Sequence, residues 1–119
     1  MSFETHNTSR SPIRVGQATL RGYLNADYNT ICKHFGQPLD SDGYKIDAEW
    51  HVRFADGGIA AIYNYKNGKA YLGESGPDVS EIEVWNMDGN SEEATSRVKN
   101  LLSDTWPFFD EIRQAAILN

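Results

Sequence analysis

A chain of 119 residues with 39% hydrophobic and 12% aromatic content has the size of one domain, and it can bury a core without a metal or disulfide staple. Its net charge of −6 disfavours nonspecific binding to a phosphate backbone, and its single cysteine, Cys32, rules out an internal disulfide. No apolar run approaches the length of a membrane span or a signal-peptide core, so the chain reads as soluble and cytosolic.

In chain order, residues 1–11 are polar and aperiodic and read as a flexible tail ahead of one domain over 12–119. Their Asn7-Thr8-Ser9 sequon has no secretory context. Ile13 to Leu24 reads as a strand, with Gly16 and Gly22 marking a bulge or bend. Asn25 or Asp27 can cap a helix that places Tyr28, Ile31, Cys32 and Phe35 on one apolar stripe; Gly36 and Pro38 stop it. Ala48, Trp50, Val52 and Phe54 then alternate with Asp47, Glu49, His51 and Arg53, the period of a strand with one apolar and one charged face.

Asp56-Gly57-Gly58 signals a hairpin into a second strand, Ile59 to Lys66, and Asn67-Gly68 signals another into a short strand, Lys69 to Leu72. Val79 to Met87 reads as a last strand, with Ile82 and Val84 on one face and Trp85 and Met87 on the other. Asn90-Ser91-Glu92-Glu93 has the capping-box pattern for a helix with Ala94, Val98, Leu101 and Leu102 inward. A final helix follows Pro107. The order predicts an α+β fold, a two-layer sandwich with an antiparallel sheet of four to five strands and helices on one face.

The hairpin admits two registers. A loop of Asp56-Gly57 places Trp50 opposite Tyr63 and Ala48 opposite Tyr65, which puts both tyrosines on the apolar face. A loop of Asp56-Gly57-Gly58 places Trp50 opposite Asn64 and turns both tyrosines outward beside His51 and Arg53. The first is preferred, because every cross-strand pair is then chemically sensible.

The sequence holds no phosphate-binding loop, no dinucleotide fingerprint and no Cys/His ligand set, so neither a cofactor nor a metal is expected. Cys32 and His34 lie two apart on a helix and do not face each other. His51 near a carboxylate is a single histidine, short of a catalytic constellation. Three groups could carry binding. One is the outer sheet face, with His51, Arg53, Glu49, Asn64 and Lys66. The second is the lysine-rich tip, with Lys66, Asn67, Lys69 and Tyr71. The third is the run from Glu74 to Ser96, with seven acids and no base; Glu81, Glu83, Glu92 and Glu93 could meet a basic surface on a partner. Each is more commonly plain solvated surface. Trp85, if its face is open, is a candidate interface anchor.

Asp47-Ala48-Glu49-Trp50, Phe54-Ala55-Asp56-Gly57 and Ala60 to Lys69 carry a further signal. Over roughly residues 19–102 the chain resembles a family of small, largely uncharacterised tailed-phage proteins with the pattern Asp-Ala-Glu-Trp, Phe-x-Asp-Gly, Ala-x-Ile-Tyr-Asn-aromatic-Lys-x-Gly-Lys. Here Gly58 adds a second glycine to the turn. The resemblance implies a non-enzymatic accessory protein in the host cytoplasm that binds and disables a host protein, such as a defence or nucleic-acid-handling component. Two alternatives stand beside it: a protein that sequesters a nucleotide signal at the Tyr/Lys/Asn-rich hairpin, and an assembly homodimer joined through a sheet edge or Trp85.

Overall fold

The computed structural model describes residues 3–5 and 18–103. Five strands form one antiparallel sheet: β1 (Phe3–Thr5), β2 (Thr19–Asn25), β3 (Glu49–Phe54), β4 (Ile59–Tyr63) and β5 (Val84–Gly89), in spatial order β1-β3-β4-β5-β2. Among the described residues three α-helices accompany it in an α+β fold: α1 (Tyr28–Phe35), α2 (Lys69–Leu72) and α3 (Glu92–Ser103).

The core lies on one sheet face. Leu24, Trp50, Val52, Phe54, Ala60, Ile62, Trp85 and Met87 project from the strands to meet Ile31 and Phe35 of α1 and Ala94, Val98 and Leu102 of α3. Trp50 and Trp85 pack edge to face at 5.2 Å, both fully buried. Each indole N–H donates to a carbonyl at 2.8 Å, Trp50 to Gly36 and Trp85 to Ala26, so neither ring strands a polar group in the core. Trp85 is therefore no interface anchor, and a dimer cannot use it. Its strand starts at Val84, and Ile82 is buried from the turn before it.

Local signals placed α1 well. Asp27 caps it, its carboxylate accepting the Thr30 N–H at 2.7 Å, and Gly36 ends it at φ +82°. The bulge expected near Gly22 lies between Leu20 and Gly22. Other boundaries move. Residues 3–5 of the expected tail are a strand, with Phe3 edge-on to Phe35 and Phe54. β2 runs from Thr19 to Asn25, and residues 6–17 lie outside the described residues. The α3 cap sits one residue later than expected: the Ser91 hydroxyl accepts the Ala94 N–H at 3.1 Å. Asn90 has another task below. The helix expected after Pro107 lies outside the described residues.

The hairpin adopts neither expected register. Arg53 pairs with Ile59, Trp50 with Ile62 and Glu49 with Tyr63. The Phe54 N–H donates to Gly58 at 2.7 Å, so the loop is Ala55-Asp56-Gly57, with Gly57 at φ +93°. Distant residues hold this turn. Arg97 of α3 pairs with Asp56 at 2.7 Å, and the Asn90 side chain accepts the Ile59 N–H at 2.8 Å and donates to the Gly57 carbonyl at 3.1 Å. Ala60, Ile62 and Asn64 thus share the face of Trp50, and Tyr63 turns to the face of Glu49 and His51.

Candidate functional site

β4 ends at Tyr63, and the expected strand at 69–72 does not form. Asn64 follows on the core side, fully buried, instead of on the outer face where it was expected. Its carboxamide oxygen accepts the N–H groups of Asp47 (2.8 Å) and Ala48 (3.1 Å). Its amide nitrogen donates to Asp47 Oδ1 at 2.7 Å and Asn67 Oδ1 at 3.1 Å. All four bonding positions of one amide are filled.

The other Asp47 oxygen accepts the Ala70 N–H at 3.0 Å and so caps α2. This cap, a left-handed Lys66 (φ +62°) and Gly73 (φ +73°) turn Lys69–Leu72 into a helical turn, where sequence pattern predicted a strand. Gly68 permits the approach: a Cβ there would lie 2.2 Å from Asp47 Oδ1. Most of the distinctive Asp-Ala…Tyr-Asn…Gly pattern therefore encodes a clamp that ties the chain before β3 to the chain after β4.

The clamp displays a patch. A second device fixes its other side, where Asp42 Oδ1 accepts the N–H groups of Tyr44, Lys45 and Ile46 at 2.8, 2.9 and 2.9 Å. Those N–H groups, that of Ile46 foremost, hold the Asp42 carboxyl below its ordinary value. The Lys66 N–H donates to the Lys45 carbonyl at 2.8 Å, which sets Tyr44-Lys45 beside Tyr65-Lys66. The tyrosines stay in solvent, 60% exposed at Tyr44, 44% at Tyr65 and 46% at Tyr71. Tyr44 and Tyr71 stack with centroids 6.1 Å apart and planes 28° from parallel. The Lys45 ammonium lies 4.8 Å from the Tyr44 centroid and 5.8 Å from that of Tyr65; the Lys66 ammonium lies 5.3 Å from Tyr65 and 5.4 Å from Tyr71. Exposed Leu72 adjoins Tyr71 in the chain. Compared with family models, curated proteins and solved structures, the chain finds no match in any of the three.

The remaining candidates lie apart from the tip. On the outer sheet face His51 Nε2 meets Glu49 Oε2 at 2.5 Å, and His51 is only 6% exposed. Arg53 pairs with Glu4 of β1. Tyr63 donates to Asp88 at 2.8 Å; burial and that carboxylate push its hydroxyl up to about 12, so it serves as a donor and not as a base. Lys69 reaches the Glu74 carbonyl at 3.1 Å and Asp78 at 3.7 Å. The acidic stretch is largely engaged within the chain. Glu81 closes a capping box with Asp78, Glu92 pairs with Arg21 at 3.3 Å, and Glu93 pairs with Arg97 at 2.8 Å, while Glu83 is exposed. Among the described residues no three His, Cys, Asp or Glu side chains gather to hold a metal ion, and no helix is long and apolar enough to cross a membrane.

Of the expected site residues, Lys66 and Tyr71 come together. Tyr44 and Lys45 join them from outside the predicted groups, and Tyr65 lies 44% exposed past the end of β4 rather than on the apolar sheet face. The available signal was the repeated Tyr-Lys dipeptide at 44–45 and 65–66.

Proposed function

We propose that this chain is a non-enzymatic binding protein that works through its tyrosine–lysine tip. The observation that carries the reading is three half-exposed tyrosines interleaved with two lysine ammonium groups, all standing on loops fixed by a buried amide–carboxylate clamp. Tyrosine gives a large contact area for only two side-chain rotations, so holding it in a complex loses little entropy. A pre-formed surface loses less still. The lysines favour an anionic partner. The resemblance to small tailed-phage proteins supplies the setting, an accessory factor that binds and disables a host component in the host cytoplasm. The acidic stretch supports this role less well, because three of its four named glutamates already have partners within the chain.

The test is parallel capture from a host extract with the wild-type protein, a Tyr44→Ala/Tyr65→Ala/Tyr71→Ala variant and a Glu81→Gln/Glu83→Gln/Glu92→Gln/Glu93→Gln variant. Affinity recovery and native mass spectrometry would identify what is retained. The tip variant is expected to fold and to lose the retained species, while the glutamine variant keeps it. Full retention by the tip variant, or loss confined to the glutamine variant, would refute the assignment.

A further inference from the structure

The chemistry of the tip is more specific than general stickiness. Tyr44 and Tyr71 face each other within 28° of parallel, each belongs to a separately fixed loop, and each carries its own ammonium group. The two rings already stack on each other with centroids 6.1 Å apart, and at 60% and 46% exposure Tyr44 and Tyr71 leave ring surface open to a planar ligand. Lys45 and Lys66 both face Tyr65. Two ammonium groups near one exposed ring give this side of the tip a positive charge that an anion can meet.

We propose that the tip binds a free nucleotide, its base stacked on the Tyr44–Tyr71 pair and its phosphate held by Lys45 and Lys66. This rests on the reading of the tip as the working surface. Stacking on tyrosine is tolerant of base identity because every base has a π-face. Phosphate recognition here uses lysine as a point charge, without the planar fork of arginine, and so demands little geometric precision. A free nucleotide fits better than a long strand. The chain carries −6 overall, with seven acids between Glu74 and Ser96, and a polyphosphate backbone crossing that surface would be repelled.

Titration calorimetry with the purified protein tests this with four probes: AMP, GMP, the nucleoside adenosine, and a ten-residue single-stranded oligonucleotide. Binding of AMP or GMP is expected, with adenosine at least tenfold weaker. Tyr71→Leu keeps an apolar side chain and removes the ring; it should weaken binding roughly 5- to 150-fold, the range of one lost base stack. Lys45→Gln/Lys66→Gln should abolish the preference for nucleotide over nucleoside. The Tm of each variant shows whether it is folded. No binding of either mononucleotide, or unchanged binding by Tyr71→Leu, overturns the proposal. Tighter binding of the oligonucleotide than of AMP and GMP overturns it in favour of a strand ligand. If mononucleotides fail while the triple tyrosine variant still loses its host partner, the nucleotide assignment falls and the tip reading stands.

Discussion

Asn64 is fully buried and makes four hydrogen bonds, so its replacement is a sharp probe of the fold. Asn64→Ala strands a buried backbone donor at Ala48 and a part-buried one at Asp47, and removes a hydrogen bond to the Asp47 carboxylate. Each stranded donor costs about 1 kcal/mol at the low end, and a bond to a charged acceptor is worth about 1.5–3 kcal/mol. The sum is about 3.5–5 kcal/mol, a large share of the ~5–15 kcal/mol that stabilises an ordinary domain. Urea unfolding followed by circular dichroism would show it as a lower midpoint at constant slope. Asn64→Asp separates shape from charge. Its two oxygens fit the same space, but one of them faces Asp47 across the 2.7 Å contact. Like charge and burial raise the proton affinity of the new pair in the folded state. Its deficit relative to wild type is therefore smallest near pH 4 and grows as pH rises toward neutrality. A loss below ~1 kcal/mol for Asn64→Ala, or wild-type stability for Asn64→Asp at pH 7, would refute the clamp.

Two further outcomes follow from the same geometry. Gly68→Ala places a methyl group 2.2 Å from Asp47 Oδ1 and 3.0 Å from Asn64 Nδ2, so it should cost about 1–3 kcal/mol, measured in the same urea series; an unchanged midpoint would show that the approach at Gly68 is not tight. Tyr63 should ionise near 12 in a spectrophotometric titration, so its protonation contributes stability that is intact below pH 10 and lost as pH rises from 10 toward 12. Tyr63→Phe should delete that late step, and a Tyr63 ionisation near 10 in the folded protein would contradict its bond to Asp88.

The sequence alone determined the parts whose causes are local. Asp27, the stripe Tyr28, Ile31, Cys32 and Phe35, and Gly36 together specify α1, because cap, periodicity and stop all lie within ten residues. The alternation from Ala48 to Phe54 specifies β3 and its buried face, and the hairpin glycines specify an antiparallel sheet. Tertiary structure decided the rest. The hairpin register depends on Arg97 and Asn90, more than thirty residues downstream, and one residue of slip moves Tyr63 from one face to the other. Lys69–Leu72 is a helical turn because Asp47, over twenty residues upstream, caps it. The tip exists because Asn64 joins those segments and brings two Tyr-Lys pairs side by side. Pattern along a chain reports which face of an element is apolar. It does not report which distant amide or carboxylate will satisfy a turn, and here those long-range hydrogen bonds chose both the register and the exposed surface.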